Sequence, residues 1–376
     1  MQFLAVSNGW VGLGLRPHFP SPCVIALQQG DSSVPDTFVK PSTYSPPPLT
    51  LPEMGGGTMG WGDPNQGWGL NYNSTDIKAA FEVLVEGGVN LFDTSEVYGY
   101  QGFKLAEGSE QLVGSLASRT LSPPLISTTF MPVPWANLLS GGGLRIGRGA
   151  VVDAVRNSIA RLGVGAVDVY SLHAPLPYLG GRTALYEGLA QAYELGLCRS
   201  VGVCNFNGAQ LREAHDALRR LGVPLVSNQV RFSVLNIERE LDGTIETCLE
   251  LGVSPLAHTP LAKGLATTRC AEAVARRARG RVGRWDGEKL VALEGVLRAL
   301  TAVTEAHESR SETQAALRFV MAKGCIPIPG INTAEQAEQA VAALDWELNL
   351  DEVDELNDQA LALHVRRRDL PWLRSL

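Results

Sequence analysis

The sequence predicts an α/β chain folded as a (β/α)8 TIM barrel. From Gly55 onward, eight short apolar runs alternate with amphipathic helical periods, and glycines stand just past the helices. The glycine-rich turn that a doubly wound sheet places after its first strand is missing. In the run Gly55-Gly56-Gly57-Thr58-Met59-Gly60, Asp63 and Pro64 follow where a helix would have to begin.

The candidate strands are Gly55–Met59, Asn90–Asp93, Leu125–Thr129, Ala166–His173, Arg199–Val203, Leu225–Val230, Val253–Ala257 and Cys325–Ile328. Each is short, mostly apolar and closed by polar residues or glycine, the pattern of a strand covered on both faces. Between them, Ile77, Ala80, Phe81, Leu84 and Val85 keep the spacing of one buried helix face. Val151, Val152, Val155, Ile159 and Leu162 do the same, and so do Leu317, Val320 and Met321. Gly87-Gly88, Gly163, Gly196, Gly222, Gly252 and Gly324 stand where helices end in a left-handed cap.

Composition narrows the function classes. Of 376 residues, 45% are hydrophobic and 19% charged, with a net charge of −7, which excludes a disordered chain. An acidic balance argues against a nucleic-acid partner, and no apolar run is long enough to span a membrane. No protein partner is evident. Six scattered cysteines without C-x-x-C or zinc spacing read as reduced core thiols in a soluble protein. Residues 1–50, rich in Ser and Pro and poor in acids, read as a flexible tail or a transit peptide. The first reading places the protein in the cytoplasm and the second in a plastid. The barrel is expected over 51–365, with a C-terminal tail over 366–376.

Chemistry in such a barrel sits at the C-terminal ends of the strands. The second strand ends in Asp93-Thr94-Ser95-Glu96-Val97-Tyr98-Gly99 and the fourth in Ser171-Leu172-His173. The fifth ends in Cys204-Asn205-Phe206, the sixth in Asn228-Gln229-Val230, the seventh in His258-Thr259-Pro260, and the eighth in Pro329-Gly330. Each residue has a structural alternative: Asp93 as a turn cap, Tyr98 as a buried aromatic, His173 as a core histidine, Asn205 and Gln229 as loop ties. An acid, a phenol, an imidazole and two carboxamides on one face favour a site. A metal-dependent hydrolase would need more ligands than Asp93, His173 and His258, so no metal is expected.

These same runs, with Tyr170-Ser171-Leu172-His173, Gly202-Val203-Cys204-Asn205-Phe206 and Pro327-Ile328-Pro329-Gly330, resemble the aldo-keto reductase family in order from about Gly55 to Leu363. They are most similar to its plastid-type members related to pyridoxal reductases. The resemblance implies NADP(H)-dependent reduction of a small-molecule carbonyl, with Tyr98 as proton donor, His173 as hydrogen-bond donor to the oxygen and Asp93 as electrostatic support. It implies that Asn205 and Gln229 hold the nicotinamide carboxamide, and that His258 stacks on the ring. Thr259, Leu261, Lys263 and Gly264 form the pyrophosphate loop, and Thr58, Gly330, Asn332 and Gln336 complete the cofactor set.

Four departures stand out. Thr129 occupies the slot of the lysine that lowers the phenol pKa, in a chain with six lysines. That swap supports a second expectation, an NADP(H)-binding sensor or scaffold with impaired catalysis, in which Asp93 is left unpaired with a raised pKa. Cys204 replaces a serine, His258 replaces a tyrosine, and Asn332 and Gln336 bring no charge to a 2′-phosphate. Lys104 could reach inward. The arginines from Arg269 to Arg284 are either a solvated loop or a phosphate cover. Trp61, Trp68, Trp135 and Phe232 could line a carbonyl pocket or pack the barrel mouth.

Overall fold

A computed structural model of the chain describes residues 49–101, 104–105, 108–134, 144–267 and 287–369; for 100–101, 104–105, 287–292 and 367–369 only the backbone is described. The chain divides into Met1–Thr50 and Leu51–Leu376. Nearly all of the first unit, Trp135, the Ser140–Gly143 loop, the Arg269–Arg284 stretch and the Lys104 side chain lie outside the described residues.

The second unit contains eight parallel strands: β1 Gly56–Gly57, β2 Leu91–Asp93, β3 Leu125–Phe130, β4 Val167–Leu172, β5 Cys198–Cys204, β6 Leu225–Arg231, β7 Ser254–His258 and β8 Ile326–Ile328. They pair in sequence order. A parallel bridge between Gly57 and Gly330 brings the last strand end back to the first, with Gly55 N donating to Pro327 O at 3.0 Å and Gly57 N to Pro329 O at 2.8 Å. The sheet therefore closes into the expected barrel. β1 is shorter than the predicted Gly55–Met59 because Thr58 already turns into the loop, where its carbonyl accepts Trp61 N at 2.9 Å.

Helices follow the strands, and their buried faces match the predicted periods. In α1 (Ser74–Glu86), Ile77, Ala80, Phe81 and Leu84 are buried, and Asn73 and Asp76 form a reciprocal cap at the N-terminus. In α3 (Gly147–Leu162), reached after α2 (Ser109–Ala117), the buried face holds Val151, Val152, Val155 and Leu162. Gly88, Gly163, Gly196, Gly222, Gly252 and Gly324 all have positive φ as expected. Gly87 does not, at φ −82°; a Cβ there would lie 2.3 Å from Val341, so close packing explains it. The final helix, Leu350–Asp369, runs past the expected boundary at 365.

Inside the barrel, Leu91, Leu256 and Ile328, with Leu51, Leu125 and Ile326, form an apolar plug. Beyond it the interior turns polar. A Cβ at Gly202 would lie 2.3 Å from Ser171 Oγ and 2.6 Å from Ser227 Oγ, and Ser127 Oγ donates to Asp93 at 3.0 Å. Serines and a glycine thus fill the polar part of the interior, and Ser127 and Gln229 reach the buried Asp93 carboxyl.

Among the described residues no helix is long and apolar enough to cross a membrane. Cys198, Cys204, Cys248 and Cys325 are buried free thiols.

Candidate active site

Asp93 closes β2 and is 4% exposed. Its carboxyl accepts hydrogen bonds from Ser127 and Gln229, but burial outweighs them and pushes its pKa up to about 7. A raised value is what burial of a carboxyl gives where no cation pairs with it among the described residues. Because the folded state binds this proton more tightly than the unfolded chain, the group's stabilising contribution is full below about pH 4. It is lost as pH rises through about 7. Asp93→Asn should abolish that slope: between pH 5 and pH 8, urea unfolding of the wild type should lose on the order of 2 kcal/mol relative to the variant. Parallel pH dependences would place the titration elsewhere.

Thr58 supports Asp93 from behind. Its hydroxyl donates to Asp93 O at 2.9 Å and sits 2.7 Å from Ser109 Oγ, with 1% of the residue exposed. The side chain ties β1, β2 and α2 together, so a contact of Thr58 with a cofactor would fall to its backbone.

Tyr98 follows on a short turn in which Tyr98 N donates to Ser95 O at 3.1 Å and Val97 N to Ser95 Oγ at 3.3 Å. Burial, then the charge of Asp93, then Cys204 push its phenol well above the ordinary range. His173 stands beside it, the rings 6.2 Å apart and edge to face. Burial lowers the imidazole pKa, with Glu96 opposing. The Tyr98 hydroxyl and His173 Nε2 have no hydrogen-bond partner among the described residues, and neither is sealed from solvent.

Thr129, on β3, points into this group. Its hydroxyl donates to Ser95 Oγ at 2.7 Å and lies 2.9 Å from His173 Nδ1. The residue in the lysine slot therefore brings no cation but does contact a site residue. Ser95 and Ser127 were not foreseen; Ser127 is two residues before Thr129 on the same strand face, a period-two signal that could have found it.

An ion pair holds the Tyr98 loop. Arg145 Nη1 and Nη2 reach the two Glu96 oxygens at 2.5 and 2.7 Å, and Glu96 also accepts Met131 N at 2.7 Å. Both side chains are almost fully buried, and the guanidinium lies 4.8 Å from the Phe130 ring.

Across the mouth, His258 Nε2 lies 3.1 Å from Asn205 Oδ1, an acceptor, so Nε2 carries the proton and Nδ1 accepts from Thr259 Oγ1 at 2.9 Å. Burial first, then Arg231, repulsion of a second proton by His173, and Lys263 and Arg239, lower its pKa to about 4, which keeps the ring neutral. Asn205 Nδ2 reaches His173 O at 3.4 Å. The loop after β7 is unusual: Thr259, Ala262 and Lys263 have φ of 56°, 48° and 59°, a left-handed backbone that non-glycine residues adopt at a cost, and Gly264 follows at 88°. Leu261 O accepts Gly264 N at 2.9 Å and fixes that turn. After β8, a Cβ at Gly330 would meet nothing, and Asn332 Oδ1 is buried without a partner. Gln336 folds back to accept Asn332 N at 2.8 Å, while Thr333 caps the next helix, Ala334–Val341.

The described aromatics pack. Trp61 is 1% exposed and donates to Ile331 O at 2.8 Å, Trp68 lies against Tyr72, and Phe232 stacks on Phe319 in the core. No metal-binding cluster occurs among the described residues.

The orphaned Asn332 oxygen, the open space at Gly330 and the spare donor and acceptor capacity of Asn205 fit a nicotinamide dinucleotide lying from β5 to β8. The chain is 33% identical over 349 residues to chloroplastic pyridoxal reductase of Arabidopsis thaliana, an alignment spanning 86% of this chain and 85% of that protein. Its fold matches a Bombyx mori aldo-keto reductase solved with NADP (TM-score 0.62, 22% identity, covering 83% and 90% of the two chains). It also matches a thermostable aldo-keto reductase (TM-score 0.63, 21% identity, 83% and 96%). The family model for the aldo/keto reductase family matches residues 53–360. With that family's model matched over nearly the whole barrel and a relative 33% identical over 86% of the chain, this chain belongs to the aldo/keto reductases.

Proposed function

We propose that the chain is an NADP(H)-dependent reductase of small aldehydes or ketones, with Tyr98 as the proton donor. The observation that carries this reading is the unpartnered, accessible Tyr98 hydroxyl beside His173 and above buried Asp93. A bound nicotinamide supplies hydride to a carbonyl carbon. The protein's part is to hold the carbonyl oxygen against Tyr98, whose hydroxyl proton passes to that oxygen as negative charge develops, the phenolate regaining a proton from solvent. Asn205 and Gln229 would hold the carboxamide, with neutral His258 against the ring. Lys263 and the left-handed loop around it would face the pyrophosphate, and Gly330, Asn332 and Gln336 the adenosine end.

With no cation in the Thr129 slot, the raised phenol stays protonated across the accessible pH range. That state suits donation and so the reduction direction, whereas alcohol oxidation needs the phenolate. The same feature supports a second reading, a protein that binds NADP(H) but turns over little. The acid-poor, Ser/Pro-rich start and the chloroplastic relative support a plastid location.

The test is oxidation of NADPH by the purified chain against an aldehyde panel that includes pyridoxal, with binding followed by nicotinamide fluorescence in the same sample. Turnover supports the reductase; binding without turnover supports the second reading.

A further inference from the structure

Asn205 follows β5 with φ 62°, in the left-handed region where a residue with a Cβ stays only if its surroundings fix it. Two adjacent residues of β6 do so. Gln229 O accepts Asn205 N at 2.7 Å, and Asn228 Nδ2 donates to Phe206 O at 3.0 Å, so the two bonds close on either side of the strained residue. Beyond it the chain is committed: Phe206 is buried, and Asn207 caps the helix Gly208–Arg220. This conformation aims the Asn205 side chain across the mouth, with Oδ1 3.1 Å from His258 Nε2.

Asn228 itself meets no ligand. Gln229 reaches Asp93 in the barrel interior, so by the period of two Asn228 points to the outer face of the sheet, where it is fully buried. The Phe206 carbonyl can only accept, which puts the amide nitrogen toward it and leaves Asn228 Oδ1 buried with no partner among the described residues. An orphaned acceptor weakens a fold, and an apolar side chain of similar size would not have one. What the amide supplies in return is a donor to the turn. We propose that Asn228 is a positioning residue for the cofactor: it locks Asn205 in the left-handed conformation that presents its side chain to the nicotinamide, and it has no part in holding the adenosine end. The inference rests on the reductase reading for its ligand, but not for the turn.

Amide hydrogen exchange and calorimetric titration of the full chain test it, on two variants. Asn228→Leu removes the donor and the orphaned acceptor together. Cys248→Ala removes the other neighbour of Asn228 Nδ2, a sulfur 3.7 Å away, and controls for packing around the amide. The Asn205 N–H should exchange about tenfold faster in Asn228→Leu than in the wild type, and at the wild-type rate in Cys248→Ala. Asn228→Leu should bind NADPH about tenfold more weakly, the worth of one hydrogen bond. It should bind adenosine 2′,5′-bisphosphate, the adenosine half of that cofactor, within about twofold of the wild type, and Cys248→Ala should match the wild type for both ligands. Equal weakening of the two ligands in Asn228→Leu makes the residue a support of the fold and overturns the proposal, as does unchanged exchange at Asn205. Faster exchange with unchanged NADPH affinity overturns the role of the turn in binding while leaving the reductase reading intact. A wild type that binds neither ligand contradicts the reductase reading and the cofactor role together, with the exchange rates still deciding whether Asn228 locks the turn.

Discussion

Tyr98→Phe should lower kcat for carbonyl reduction by about 10³-fold while changing the affinity for NADPH by less than about twofold. The substitution removes one oxygen that has no hydrogen-bond partner among the described residues, so it leaves no orphaned group behind. The ring stays edge to face with His173, and the loop keeps its Ser95 and Glu96 anchors. Stability should therefore be near wild type, and the loss confined to the step that delivers a proton to the nascent alkoxide. Stopped-flow reduction with fluorescence titration of NADPH separates the two effects. Equal loss of binding and turnover would make Tyr98 a structural aromatic.

The second large effect concerns the pair that carries the Tyr98 loop. Arg145→Met should destabilise the fold by about 3–5 kcal/mol, because it strands the Glu96 carboxylate in a site where its side chain is 5% exposed. The backbone N–H of Met131 remains as a donor, but one neutral hydrogen bond does not balance a buried charge. The double variant Glu96→Gln, Arg145→Met removes both charges and should recover most of the loss, since a buried ion pair replaced as a unit costs little. Urea unfolding of the three proteins reads this directly. A loss below about 1 kcal/mol in Arg145→Met would mean that Glu96 is neutral or otherwise paired.

The fold was legible because a parallel barrel writes itself locally. Each strand is a short apolar run, each helix keeps its own period, and Gly88, Gly163, Gly196 and the others mark the turns. The residues at the strand ends could be read the same way, since period two decides which of Ser127, Thr128 and Thr129 faces inward. Long-range partnerships could not. Glu96 and Arg145 are 49 positions apart and meet only because the loops after β2 and β3 are neighbours. Thr129 read from sequence is a missing cation; only its distances to Ser95 and His173 show what the hydroxyl does instead. Trp61 looked equally suited to pocket or core, and the Ile331 carbonyl that claims its indole N–H lies 270 positions away. The bonds of the Thr58 hydroxyl to the Asp93 carbonyl and Ser109, across 35 and 51 positions, are likewise visible only in the fold.

The central claim is that this chain moves hydride to a carbonyl carbon with Thr129 in the slot of the family's lysine. Reduction of an aldehyde with NADPH deuterated at the nicotinamide C4, followed by mass spectrometry of the product, tests it most directly. The account predicts an alcohol carrying one deuterium on the former carbonyl carbon, formed by the wild type and lost in Tyr98→Phe. NADPH that binds tightly yet leaves every aldehyde unlabelled and unreduced would contradict it.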